Sequence, residues 1–344
     1  KRMDVLPTVT IDDVAELAGV SIKTVSRVLN QEPHVRETTR ERVLNAAKQL
    51  DYTPNVSARA LAGARSYLIG LYYDNPSPGY VGQVEQGAMA ACRPAGYHLI
   101  VEQVQEAGTT LRERIAAFHA RVRPEGVILT PPLCDLPEAL EALDAAKANY
   151  VRIAPSRDLE RSPYVYIDDR KAAEEMTLYL QGLGHRDIAF IQGPPDHFAA
   201  ARRCEGFLDA MASAGLPVRP DWVQPGQFSF RSGSEAGERL LSSSDRPTAI
   251  FAGNDDMALG VMAVANRLQI EIPTGLSVVG FDDSPSAQVV WPQLTTVRQP
   301  TAEMAAVAAE MLIGRRSATK GPRVRLLAFK LVPRQSSGPP PAAA

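Results

Sequence analysis

From Ser66 onward the chain alternates short apolar runs with longer helical segments, and that alternation leaves few folds open. YLIGLYY (67–73), HLIVEQ (98–103), GVILT (126–130) and YVRIA (150–154) read as strands, with helical stretches at 81–93, 111–119 and 136–148 between them. Runs this apolar suit strands buried on both faces, and strand–helix–strand order makes neighbouring strands parallel. A second cycle follows. Asp168 caps a helix that reaches Leu183, then come a strand at 188–193, a helix at 199–214, a strand at 248–253, a helix at 255–268 and a strand at 276–282. Two doubly wound parallel-sheet units joined by crossovers predict a two-lobed α/β core. Ligands in such sheets lie beyond the carboxyl ends of the strands, so the cleft between the lobes is the expected binding site.

The first 65 residues have a different pattern. Thr10 to Asn30 reads TIDDVAELAGVSIKTVSRVLN, two short helices joined by a tight turn. Thr10 with Asp13 three residues on is suited to cap a helix start, Val14, Leu17 and Ala18 share one face, and Gly19 supplies the left-handed turn. Val20 plugs the angle between the helices. Ser21 caps the second helix, which turns Val25, Val28 and Leu29 inward and Ile22, Lys23, Ser26 and Arg27 outward. A third helix places Val43, Ala46, Ala47 and Leu50 on the core side and Arg36, Arg40, Arg42 and Lys48 outside. A unit of this kind lays its second helix in the major groove of DNA, where Lys, Arg and Ser side chains reach base edges or phosphates.

Charge alone would not have suggested this. The formal net charge is −2; residues 1–65 carry ten Lys/Arg against eight Asp/Glu, and the remainder is −4. No apolar run approaches the roughly 20 residues of a membrane span, and no signal peptide is recognised, so the expected location is the cytoplasm. Cys92, Cys134 and Cys204, odd in number and widely spaced, fit a reducing compartment and a packing role rather than zinc or disulfides. There is no G-x-S-x-G elbow, P-loop or H-E-x-x-H, the five histidines lack metal spacing, and Gly193-Pro194-Pro195 and Gly253-Asn254-Asp255 lack the dinucleotide pattern. An enzyme, a metal site and a cofactor are therefore not expected. A doubly wound metabolic enzyme and a sugar sensor whose head touches protein are the alternatives.

The run D-V-A-x-x-A-G-V-S-x-x-T-V-S-R-V-L-N, Asp13 to Asn30, resembles the signature of the lac-repressor (LacI/GalR-type) family of bacterial transcription regulators. The segments LGHRDIAFIQGPP (183–195) and LSVVGFDD…LTTVRQP (276–300) are similar to the family's regulatory core, whose fold is periplasmic-binding-protein-like. The resemblance covers about residues 8–335 and implies a homodimer reading a pseudo-palindromic operator under control of a small effector, most simply a sugar. It implies DNA contacts from Ser21, Ile22, Lys23, Thr24, Ser26, Arg27 and Asn30. It also makes Pro54 to Gly63 a hinge helix, with Asn55, Ser57 and Ala58 in the minor groove and Leu61 wedged into a base step. The layout is then a head at 8–53, a hinge at 54–65 and a core at 66–335. The N-lobe spans about 66–167 plus 298–322 and the C-lobe about 168–297 plus 323–335, before a Pro/Ala-rich tail (336–344) expected to be disordered.

Candidate cleft residues lie where strands end: Asn75 and Tyr80 after the first, Asn254 and Asp255 after AIFAG, and Asp282 after VVGFD. Arg203 near a helix start and Phe228 in G-Q-F-S-F complete them. Donors, acceptors and an aromatic platform suit a neutral polyhydroxylated ligand. Taken singly, Asn254 and Asp282 equally suit caps or turns, Phe228 and Tyr80 core, and Arg203 a surface ion pair. The resemblance raises Arg203, Phe228, Asn254 and Asp282 together, as positions that contact effector. One departure stands out: where many sugar-responsive members have I-D-R, this chain has Ile153-Ala154-Pro155, so an acceptor is missing.

Overall fold

The computed structural model describes residues 9–29, 35–52, 65–104, 110–243, 245–314 and 323–341. It divides the chain into two compact units, residues 1–67 and 68–344.

In the first unit, α1 (Ile11–Ala18), α2 (Ile22–Leu29) and α3 (Glu37–Gln49) close around Val14, Ala15, Ala18, Val25, Val28, Val43, Ala46 and Ala47. The capping box forms as expected: the Thr10 backbone N–H donates to Asp13 Oδ2 at 2.7 Å, and the Asp13 N–H donates to Thr10 Oγ1 at 3.4 Å. The bond from the Thr10 backbone holds the Asp13 carboxyl below its ordinary pKa. Gly19 ends α1 at φ +62°, a conformation L-residues rarely adopt. Leu17 corrects the expected inward face. It is 46% exposed, and Ala15 is on the core side of α1 instead.

The second unit holds two six-stranded sheets. The first contains β1 (Leu68–Tyr73), β2 (His98–Gln103), β3 (Gly126–Leu129), β4 (Tyr150–Ile153), β5 (Tyr164–Tyr166) and β11 (Val324–Leu326) in the order β11-β5-β4-β3-β1-β2, all parallel. The second contains β6 (Ile188–Ile191), β7 (Val223–Gln224), β8 (Ala249–Ala252), β9 (Ser277–Phe281), β10 (Thr295–Arg298) and β12 (Lys330–Val332) in the order β12-β10-β9-β8-β6-β7. Only the β10–β12 pair is antiparallel. In each sheet the first strand in sequence, β1 or β6, lies between its two successors. The chain therefore reverses direction across the sheet at that point and leaves a crevice beyond the strand ends.

Helices α4 (Pro78–Cys92), α5 (Leu111–Val122), α6 (Pro137–Ala145) and α12 (Thr301–Gly314) cover the first sheet. Helices α7 (Asp169–Gly182), α8 (Phe198–Ser213), α9 (Phe230–Leu241), α10 (Asp255–Arg267) and α11 (Pro285–Val289) cover the second. Close helix packing requires glycine at one position in particular: a Cβ on Gly87 of α4 would lie 1.8 Å from the Ala302 carbonyl oxygen of α12. Cys92, Cys134 and Cys204 are buried free thiols. Among the described residues no helix is long and apolar enough to cross a membrane.

The chain crosses between lobes after β5, after β10 and between β11 and β12. The last crossing corrects the expected division, which gave all of 323–335 to the C-lobe. Val324–Leu326 pairs with β5 in the N-lobe, and only Lys330–Val332 joins the second sheet. The tail is a second correction. Ser336 is fully buried; its carbonyl accepts from the Val278 N–H (2.8 Å), its hydroxyl accepts from the Thr295 N–H (2.8 Å), and the Gly338 carbonyl accepts from His185 Nε2 (2.8 Å). Residues 336–341 are thus described and held through backbone groups, which Pro/Ala composition does not register.

Candidate functional sites: a polar helix face and an interlobe cleft

On α2, the Thr24 N–H donates to Ser21 Oγ at 3.2 Å, which fixes the helix start. Val25 and Val28 anchor the opposite side, so Ile22 and Lys23 are exposed while Thr24, Ser26 and Arg27 are half-buried. The resulting face carries two cations, Lys23 and Arg27, with hydroxyls and one apolar side chain. Asn30, Asn55, Ser57, Ala58 and Leu61 lie outside the described residues.

In the core, six of the seven residues singled out from sequence converge; the seventh, Asp255, is turned away and accepts from the Ser284 N–H (2.7 Å) and Thr296 Oγ1 (2.6 Å). Asn75, Tyr80, Arg203, Phe228, Asn254 and Asp282 line one cavity between the lobes, together with Ser77, Pro131, Ala154, His197, Ala199 and Gln299. All but Arg203 come from segments that follow a strand or begin a helix. Arg203 corrects one detail: it lies within α8, a turn and a half from the start, and is buried rather than on the surface.

The guanidinium of Arg203 is heavily committed. Nε donates to Asp169 Oδ1 at 2.8 Å, Nη1 donates to the Gly253 carbonyl at 2.8 Å, and Nη1 stands 3.8 Å from Asp282 Oδ1. The Phe281 ring lies beneath it, 3.6 Å away. Asp282 also accepts from Gln299 Nε2 at 2.6 Å. Asn254 has the capping role: its Oδ1 caps α10 by accepting from the Met257 N–H (3.0 Å), while its Nδ2 donates to the Phe228 carbonyl (3.1 Å) and the residue borders the cavity. Phe228 packs edge-on against His197 at 4.9 Å. Its position requires Gly193, since a Cβ there would come within 2.3 Å of the ring.

Two contacts tie the lobes across the cleft. Ser77 Oγ donates to Asp256 Oδ2 at 2.6 Å, and the Arg157 guanidinium stacks over the Phe198 ring at 3.8 Å. Asn75 supports the first by accepting the Ser77 N–H at 2.9 Å. The walls are close, and the cavity between them is only about 20 Å³.

Burial governs the titration of the cleft. It raises the carboxyl pKa values of Asp169 and Asp255 and takes that of Asp282 to about 7, against the lowering effect of Arg203. It pushes the Tyr80 phenol up, which keeps it a donor. Burial, reinforced by Arg203 and opposed by the Pro131 carbonyl, lowers His197 to about 3, so the ring is neutral. Because Asp282 binds its proton more tightly folded than unfolded, it contributes stability below about pH 4 that is lost as pH rises through about 7. His197, with a lowered pKa, acts in the opposite sense. Asp282→Asn isolates the carboxyl: the difference in thermal midpoint, variant minus wild type, is expected to grow from pH 5 to pH 8. A constant difference would show that Asp282 titrates normally.

Sequence reasoning missed His197, Gln299 and Ser77 in the cleft, and Asp169 as the partner of Arg203. His197 follows a Gly-Pro-Pro-Asp turn after β6, a strand-end position as informative as those of Asn75 and Asn254. Among the described residues no cluster of three His, Cys, Asp or Glu side chains is placed to hold a metal ion.

Residues 10–55 match the family of bacterial regulatory proteins, lacI family, and residues 177–337 match the periplasmic binding protein-like domain. A probable HTH-type transcriptional repressor, ExuR of Bacillus subtilis (strain 168), is 32% identical over 311 residues, covering 89% of this chain and 91% of that protein. The lac repressor dimer bound to operator and the anti-inducer ONPF superposes with a TM-score of 0.78 at 29% identity, covering 96% of this chain and 99% of that one. The transcriptional regulator CelR in complex with cellobiose superposes with a TM-score of 0.72 at 30% identity, covering 96% and 100%.

Proposed function

The chain belongs to the LacI family of bacterial regulatory proteins, and from that premise we propose that it represses a carbohydrate-utilisation operon under control of a neutral sugar bound between its lobes. It is a DNA-binding transcriptional regulator, not an enzyme. A homodimer presents two α2 faces to a pseudo-palindromic operator in the bacterial cytoplasm, with Ser21, Ile22, Lys23, Thr24, Ser26, Arg27 and Asn30 on the bases and phosphates. Asn55, Ser57, Ala58 and Leu61 serve the hinge.

The observation that carries the sugar reading is the charge balance of the cleft. Its one guanidinium is already paired with Asp169 and faces Asp282, His197 is neutral, and the remaining polar groups are amides and hydroxyls. An anionic effector would meet the carboxyl of Asp282 with no unpaired guanidinium to offset it. A polyol meets donors and acceptors it can satisfy, with Phe228 available to cover an apolar ring face. The effector acts only through its differential affinity for the two arrangements of the lobes.

The test pairs selection of the operator from random DNA with a thermal-shift screen of matched neutral and acidic sugars. Stabilisation by a neutral sugar that also alters operator affinity is expected; stabilisation only by uronates or sugar phosphates would overturn the neutral-ligand reading. On the DNA side, Arg27→Ala is expected to weaken binding by about 1–3 kcal/mol and relax preference at one base pair. Equal loss on every sequence in an anisotropy titration would mean that Arg27 meets phosphate alone.

A further inference from the structure

The cavity around Arg203 is not the only space between the lobes. A second chamber of about 310 Å³ lies beside it. Ala154 borders both chambers. So does the Arg203–Asp169 ion pair, with Arg203 lining the first and Asp169 the second. At the shared wall Ala154 contributes only a methyl group, on a backbone at φ +48°.

The second chamber has the chemistry of a sugar site. Tyr164 and Tyr166, two residues apart on β5, both line it with ring centroids 5.5 Å apart. Aromatic rings of this kind cover the apolar face of a pyranose, as tyrosines do at many mixed polar and apolar surfaces. Ser156, Asp168 and Arg202 add a hydroxyl, a carboxylate and a guanidinium on the rim. Arg202 also pairs with Glu205 at 2.6 Å, on the exposed side of the helix. Arg157, next to Ser156, stacks on Phe198, which sits between the inner-chamber residues His197 and Ala199; the rims of the two chambers are therefore tied together.

We propose that the effector is a neutral disaccharide or glycoside, one ring held at Arg203 and Asp282 and the second seated past Ala154 against Tyr164 and Tyr166. The outer chamber is the roomier of the two, and Ala154 is the residue they share. An aspartate at position 154, as in the I-D-R pattern, would narrow the passage and place a carboxylate in it. The proposal rests on the reading of the cleft as the effector site.

The experiment titrates the full chain calorimetrically with glucose, galactose, cellobiose, maltose and lactose. At least one disaccharide is expected to bind ten-fold or more tightly than its component hexoses. Ala154→Leu is expected to bring that disaccharide down to hexose level, and Tyr166→Ala, outside the inner chamber, to weaken the disaccharide but not the hexose. Hexoses binding as tightly as every disaccharide, no binding by any of the five, or equal weakening of hexose and disaccharide by both variants would overturn the proposal. Arg203→Ala separates the two readings. Loss of both ligands supports the cleft, whereas a disaccharide bound at full affinity by that variant would overturn the effector site itself.

Discussion

Replacing Arg203 with Ala is expected to yield a protein that holds its operator but no longer responds to its effector. Arg203 joins three segments that approach one another only in the folded core: Asp169 at the start of α7, the Gly253 carbonyl after β8, and Asp282 after β9. No other group lining the cavity presents a guanidinium to the ligand, and Phe281 fixes its plane. Effector-driven changes in affinity in allosteric proteins are typically 5–150-fold, and here the factor is expected to fall to about one. The substitution also leaves two buried carboxyls without their cation, a change that costs about 3–5 kcal/mol when a charge is left uncompensated. Asp282→Asn is therefore the companion variant. It keeps an oxygen for Gln299 and removes the charge, and it is expected to blunt the response in a stably folded core. Operator titrations with and without sugar read both variants; a wild-type response in both would place the effector elsewhere.

The second large effect is expected at Arg152, a fully buried arginine on β4. Its Nε donates to Ser162 Oγ (2.9 Å), Nη1 to the Cys134 and Arg157 carbonyls (3.2 and 2.8 Å), and Nη2 to the Asp158 carbonyl (2.6 Å). Asp135 stands 3.7 Å away and accepts the Ser156 N–H at 2.9 Å and the Arg157 N–H at 3.1 Å. One side chain thus organises the loop that carries Ser156 and Arg157 to the cleft. Arg152→Met removes four hydrogen bonds and leaves Asp135 buried without its cation, so the core is expected to lose about 3–5 kcal/mol in urea unfolding followed by circular dichroism. Asp135→Asn in the same background is expected to recover part of that loss, because it removes the stranded charge. If Arg152→Met costs less than about 1 kcal/mol, loop order does not depend on this arginine.

The two sites were legible to different depths. On the head, Thr10, Asp13, Gly19 and Ser21 could be assigned because each acts on backbone groups within four residues. Leu17 was misplaced because its exposure depends on how α3 closes the bundle. In the core, strand ends pointed to Asn75, Asn254 and Asp282, since parallel sheets put ligands there whatever their side chains. The helix Phe230–Leu241 was passed over: its Ser-Gly-Ser start hides the apolar face made by Ala236, Leu240 and Leu241. Val324–Leu326 and Lys330–Val332 went unseen as separate strands. Each is three residues long, and its lobe is set by the partner strand.

By itself the sequence determined the strand–helix alternation through the first four strands and on to Phe281, the capped two-helix unit of the head and the family to which the chain belongs. These follow from periodicity and short-range capping, which operate over a few residues. The tertiary structure alone decided how the charge of Arg203 is divided. Its partners Asp169 and Gly253 lie 34 and 50 residues away, and a guanidinium in sequence gives no sign of the carboxylate that will neutralise it. It also decided that Ser336 is buried and that Ala154 stands between two chambers. Each of these is set by which distant segments the two sheets bring together, and no local pattern encodes that.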